Sequence, residues 1–176
     1  MKKLTAKELD RPAIEDYVAA VKMPVAVVLD NVRSMNNVGS FFRTCDAFAA
    51  ERLVLCGITA APPNREIHKT ALGAEQSVAW AHCPDTVAAL AALRAEGYTL
   101  VAVEQVEGAL SPEQVEWDPA GKYAVIFGNE LSGVGQQAVD MCDMAVEIPQ
   151  VGTKHSLNVA VSGGIVLWQI FSSLRV

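Results

Sequence analysis

The sequence has no apolar run of the roughly 20 residues that a bilayer-crossing helix needs, so no spanning segment is expected. Its first residues, Met1-Lys-Lys-Leu-Thr-Ala-Lys-Glu-Leu-Asp-Arg11, lack the apolar stretch of a secretory signal, and a cytoplasmic protein is expected. The four cysteines (Cys45, Cys56, Cys83, Cys142) include no Cys-x-x-Cys pair, and the three histidines (His68, His82, His155) lack metal-ligand spacing. No metal is expected, and the thiols should be reduced and mostly buried. Positive charge is also scarce: the net charge is −6 and the isoelectric point near 5.0. A protein that held long nucleic acid by charge alone would be basic, so any such contact must use local patches. Two groups qualify, Lys2, Lys3, Lys7 and Arg11 at the start, for which ordinary solvated surface cations are the better reading, and Arg33, Arg43, Lys69 and Lys154 in or near loops. Repeats, low-complexity tracts and linkers are absent.

What is present fits one compact domain of 176 residues, 51% hydrophobic and 19% charged. Short β-branched runs alternate with helical segments, the pattern of a mainly parallel α/β sheet with helices on both faces. Strands are predicted at 25–29, 53–55, 77–80, 99–103, 124–127 and 145–148, and helices at 6–21, 37–49, 86–96, 136–141 and 156–174. Residues 104–121, with Gly108, Pro112 and Pro119, read as a long connection. In the second predicted helix Val38, Phe41, Phe42, Cys45, Phe48 and Ala49 form a core-facing stripe. Arg43 lies away from it beside Asn36 and Ser40, where a solvated arginine is the ordinary alternative.

The densest pattern runs from Ile148 to Phe171, where a strand end, a polar loop and an almost wholly apolar helix follow without a spacer. Pro149 keeps Ile148 extended, and Ser156 is placed to cap the helix. Leu157, Val161, Ile165 and Trp168 fall on one side and Ala160, Leu167, Ile170 and Phe171 on another, so this helix must be covered. A narrow polar row, Asn158, Ser162 and Gln169, needs partners that a ligand or a second subunit would supply.

Three loops follow predicted strand ends, where open α/β sheets place ligands: 30–40, 127–135 and 150–155. Gly128 and Gly133 have P-loop spacing, but Val134 stands where the lysine must be, which argues against nucleotide hydrolysis. A Gly-x-Gly-x-x-Gly turn after the first strand is also missing, and with it the usual dinucleotide site. What remains there is a glycine-lined loop with one carboxylate, Glu130.

Together the loops carry a resemblance. Asn37-x-Gly39-x-x-x-Arg43-Thr44, Phe127-Gly-Asn-Glu-x-x-Gly133 and Ile148-Pro-x-x-Gly152-x-x-x-Ser156-Leu-Asn-Val159 resemble the three motifs of the SpoU (TrmH) family of RNA ribose 2′-O-methyltransferases, in the SPOUT superfamily. His68-Lys-Thr-Ala-Leu-Gly-Ala74 is similar to a further segment of that family. The resemblance implies an α/β fold with a C-terminal trefoil knot, S-adenosylmethionine as cofactor, and a homodimer with its site near the interface. It implies a single domain over 1–176, with an N-terminal helical extension at 1–22 and the knot and cofactor region at 124–174. Carried over, the cofactor would be held around Val103, Glu104, Phe127, Gly128, Ile148, Gly152 and Leu157. Catalysis would involve Arg43, Asn37, Glu130, Ser156 and Asn158, with Ser156 either touching substrate or only capping its helix. RNA would meet Arg33, Arg43, Lys69 and Lys154, with an exposed loop cation as the alternative for Lys154. The family also implies an RNA partner, here tRNA with guanosine favoured, because Gln150 and its neighbourhood are similar to eukaryotic-type tRNA guanosine methyltransferases of the family. Ribosomal RNA, or a catalytically inactive cofactor-binding RNA scaffold, are the alternatives. The chain reads as the catalytic domain without the appended RNA-binding domain of many relatives.

Overall fold

The computed structural model describes residues 1–174. Arg175 and Val176, the end of the expected domain, lie outside the described residues, as does the Lys7 side chain from the N-terminal basic group. In chain order the elements are α1 (Ile14–Ala19), β1 (Met23–Asp30), α2 (Met35–Ala47), β2 (Ala50–Cys56), α3 (Arg65–Ala71), β3 (Trp80–Cys83), α4 (Thr86–Ala95), β4 (Thr99–Val103), β5 (Tyr123–Phe127), α5 (Gln136–Met141), β6 (Met144–Val146) and α6 (Val159–Leu174). The six strands form one sheet in the order β3-β2-β1-β5-β4-β6, and every paired neighbour is parallel.

The expected doubly covered sheet follows from residue alternation. Val25, Val27, Leu29, Leu53, Leu55, Val125 and Phe127 point to one face, where they meet Phe41 and Phe42 of α2, Ile67 of α3, and Val166, Leu167 and Ile170 of α6. Ala26, Val28, Val54, Leu100, Ala124 and Ile126 point to the other, against Leu90 and Leu93 of α4 and Ala138 of α5. Two glycines set the helix spacing on the first face. A Cβ on Gly39 would lie 2.3 Å from the Ile67 carbonyl oxygen, and one on Gly163 2.4 Å from Phe41 Cε1. Its neighbour Gly164 makes no such approach, since nothing lies within 4 Å of a Cβ there.

Three expectations need correction, and one helix stands where none is predicted. The helix predicted over 6–21 is a 3-10 turn at Ala6–Leu9 followed by α1, because Asp10 is left-handed (φ 45°) and Pro12 cannot donate an amide proton. The strand predicted at 77–80 begins only at Trp80, which pairs with Leu53. Ser77 instead closes a turn onto the Ala74 carbonyl, while its hydroxyl donates to Asp46 Oδ1 at 2.6 Å. An unpredicted helix, α3, starts at a cap in which Asn64 Oδ1 accepts from the Glu66 and Ile67 amides at 2.9 and 3.4 Å. Finally, Ser156 does not cap α6. Asn158 does, its Oδ1 accepting from the Ala160 and Val161 amides at 2.9 and 3.3 Å, so the helix begins three residues later than predicted.

The covering expected for α6 is one-sided. Gly163, Val166, Leu167 and Ile170 are buried, whereas Leu157, Val161, Ile165 and Trp168 stay 38%, 51%, 40% and 52% exposed. Beside them Phe48, Trp168 and Phe171 stack in a tilted cluster with ring centroids 5.3–5.9 Å apart.

Candidate active site

A cavity of about 540 Å³ opens at the carboxyl ends of β4, β5 and β6. Strand register brings Val103 beside both Phe127 and Val146, which gives the cavity an apolar floor. It lies next to the place where β1 meets β5, the switch point at which open parallel sheets leave a crevice. One wall is the loop after β5. Asn129 and Gly133 exchange backbone hydrogen bonds there at 3.0 and 2.9 Å, and a Cβ on Gly128 would lie 2.0 Å from the Gly133 carbonyl carbon. Gly133 itself is left-handed (φ 67°), so both positions need glycine. The opposite wall is the terminal loop, with Ile148, Ser156, Leu157 and Asn158 among its lining.

Glu130 ties the three motif loops together. Its carboxylate accepts from the Arg33 and Ser34 amides at 3.0 and 2.9 Å and from Asn37 Nδ2 at 2.9 Å. Asn158 Nδ2 in turn donates to Asn37 Oδ1 at 3.2 Å. Asn37 is thus gripped on both sides of its amide, and the start of α2 is fixed to the start of α6. Burial alone would raise the Glu130 carboxyl. The amides of Arg33 and Ser34, its own amide and the Asn37 side chain outweigh that and hold it below the ordinary carboxylate value. Such an ionised, fully engaged carboxylate orients neighbours and is poorly placed to carry protons.

Of the residues expected to hold a cofactor, Val103, Glu104, Phe127, Gly128, Ile148 and Leu157 line the cavity, and Gly152 stands outside its lining. Of the expected catalytic residues, Glu130, Ser156 and Asn158 line it, and Asn37 reaches it through Glu130 and Asn158. Arg43 does not. It lines a separate depression of about 450 Å³ together with Lys69, Ser40, Thr44, Phe48 and Gly164. Lys69 is paired with Glu66 at 2.7 Å, while Arg33 and Lys154 project into solvent.

Two residues escaped the sequence reading. Asp30, 3% exposed, accepts from Thr86 Oγ1 at 2.6 Å and the Gly135 amide at 2.8 Å, anchoring the starts of α4 and α5 to the end of β1. Asn129 donates to the Asn31 carbonyl at 2.8 Å and accepts from the Leu131 amide at 2.9 Å, joining two of the loops. Its place between Gly128 and Glu130 in the motif was the available signal.

The cavity suits an adenosine-bearing sulfonium donor. Phe127, Val103, Ile148 and Leu157 offer an apolar slot for a purine. Among the described residues, the amides of Gln150, His155, Ser156 and Leu157, which line the cavity, donate to no protein acceptor and are free for a ligand's polar edge. Also among the described residues, no group of three or more His, Cys, Asp or Glu could hold a metal, and no helix is long and apolar enough to cross a membrane.

Comparison with known proteins matches the SpoU rRNA Methylase family over residues 24–168. A Vibrio parahaemolyticus protein named 23S rRNA (guanosine-2'-O-)-methyltransferase RlmB is 28% identical over 164 residues, covering 93% of this chain and 65% of that protein. A Thermus thermophilus tRNA (guanosine(18)-2'-O)-methyltransferase is 30% identical over 162 residues, covering 92% of this chain and 81% of the relative. Among solved structures, an AdoMet-bound rRNA methyltransferase from Sinorhizobium meliloti superposes with a TM-score of 0.79 at 28% identity, covering 86% of this chain and 57% of that one. The chain therefore spans less than two thirds of the Vibrio relative and of the Sinorhizobium structure.

Proposed function

This chain belongs to the SpoU rRNA Methylase family, and on that premise we propose that it is an S-adenosylmethionine-dependent RNA ribose 2′-O-methyltransferase. One observation carries the reading: the second and third motif loops wall a single cavity, and the first is tied to both by the Glu130–Asn37–Asn158 chain. We favour tRNA, with guanosine as the methylated nucleoside, as in the name of the Thermus relative. The name of the Vibrio relative supports ribosomal RNA as the second reading.

S-adenosylmethionine, when bound, supplies a methyl group activated on a sulfonium. What remains for the protein is alignment of the ribose hydroxyl, in principle worth roughly 7–11 kcal/mol, with the hydroxyl proton released to water. Val103, Phe127, Gly128, Ile148 and Leu157 would hold the donor, with Glu104 and Gly152 shaping the loops around it. Asn37 and Asn158, held by Glu130, would orient the acceptor ribose, and Ser156 at the cavity wall would touch it. A guanidinium keeps its proton at neutral pH. Arg43 would therefore act electrostatically, clamping an RNA phosphate and stabilising negative charge that develops on the 2′-oxygen. Arg33, Lys69 and Lys154 would add phosphate contacts.

Arg43 lies outside its own chain's cavity, and an apolar face of α6 is left open close to it. Both features favour a homodimer in which Arg43 of one protomer serves the cavity of the other. The proposal includes a trefoil knot over 124–174, a helical extension over 1–22 and a cytoplasmic location.

The deciding experiment is Arg43→Ala, assayed for methyl transfer from labelled S-adenosylmethionine to tRNA and to ribosomal RNA. Transfer should vanish while cofactor affinity by calorimetry stays near wild type. Surviving turnover would remove Arg43 from the mechanism. Wild-type protein inert on both RNAs, with no 2′-O-methylnucleoside lost from a deletion strain, would favour the inactive scaffold.

A further inference from the structure

Gln105 has no part in the chemistry above, yet it completes a chain of hydrogen bonds between the two walls of the cavity. The Val134 amide donates to Glu104 Oε2 at 2.8 Å, and the Gln105 amide to Glu104 Oε1 at 2.8 Å. The Gln105 side chain then donates from Nε2 to the His155 carbonyl at 3.0 Å. The ends of this chain belong to the two loops that wall the cavity, and both Gln105 and His155 line it.

Among the described residues this is the one hydrogen bond between residues 150–157 and the rest of the protein. Packing does not hold the middle of the loop either, since Val151 is wholly exposed and nothing lies within 4 Å of a Cβ on Gly152. The loop is anchored where it leaves β6 and where Asn158 caps α6, and is pinned between them at one point. Movement of such a mobile wall commonly gates the entry of a ligand and the exit of its product. A neutral hydrogen bond open to water shifts such a balance only several-fold, which suits a latch.

We propose that Gln105 is a positioning residue for donor binding: its side-chain amide latches the 150–157 loop closed over the cavity, and release of that bond opens it. The proposal rests on the methyl-donor reading of this cavity.

The test uses Gln105→Ala and Gln105→Met, the second keeping length without a donor. The dissociation constant for S-adenosylmethionine should rise about three- to tenfold in both, with faster dissociation by stopped flow. Amide hydrogen exchange across 150–157 should quicken in the ligand-free variants. Melting temperature and KM for RNA should stay at wild-type values, which a general structural defect would not allow. Unchanged exchange in both variants would overturn the latch, as would unchanged donor affinity where the wild type binds. Wild-type protein that binds no donor would instead defeat the methyltransferase reading, and the exchange measurement would still decide the latch.

Discussion

Glu130 shows how one side chain acquires a role that its local sequence only hints at. A lone carboxylate among glycines attracts notice, but its partners Arg33 and Ser34 lie 97 and 96 positions earlier in the chain. Hydrogen bonds to an ionised acceptor outweigh the desolvation that works against it, so the charged form is the one the fold favours. The sign of the pH effect follows. The folded value lies below the ordinary 4.5, so the stabilisation is complete above that pH and is lost as pH falls through the depressed value. Glu130→Gln should cost about 1–2 kcal/mol near neutrality. In urea melts from neutral to acidic pH, the gap between variant and wild type should close below pH 4.5. A gap that stays constant with pH would mean that charge on Glu130 contributes nothing to the fold.

For the elements, the lesson comes from the start of α6. Ser156 and Asn158 are both good caps, and propensity alone cannot choose between them. The structure selects Asn158, whose Oδ1 takes two helix amides while its Nδ2 bonds Asn37 across the fold. Asn158→Ala should therefore destabilise by about 1 kcal/mol or more, and Ser156→Ala by less than about 0.5 kcal/mol. Equal urea midpoints for the two variants would contradict this assignment. β4 and α5 match the sequence expectation to the residue because each is bounded by clear signals. Pro12 interrupts the helical pattern that runs over 6–21, and the seven-residue α3, with only Ile67 and Ala71 buried, is too short to leave a clear periodic mark.

For the whole molecule, the question is what covers the open side of α6. Leu157, Val161, Ile165 and Trp168 form an apolar row that a single chain leaves in water, next to the Phe48–Trp168–Phe171 cluster. A second copy is the proposed cover. Trp168→Asp should then shift the mass measured by light scattering from dimer to monomer and remove methyl transfer, because Arg43 would no longer reach a partner's cavity. A wild-type protein that is already monomeric and active would refute the two-chain site.

The amino-acid sequence by itself determined the parallel α/β class, because β-branched runs buried on both faces leave a local periodic mark. It also marked the three loops that Glu130, Asn37 and Asn158 tie together, because their motifs are contiguous. Tertiary structure alone decided the strand order, the meeting of Glu130, Asn37 and Asn158, the separation of Arg43 from the cavity, and, among the described residues, the single tie on the 150–157 loop. The physical reason is distance along the chain. These features are contacts between residues roughly 50 to 120 positions apart, set by packing of the sheet and its helices, and no local spacing records them.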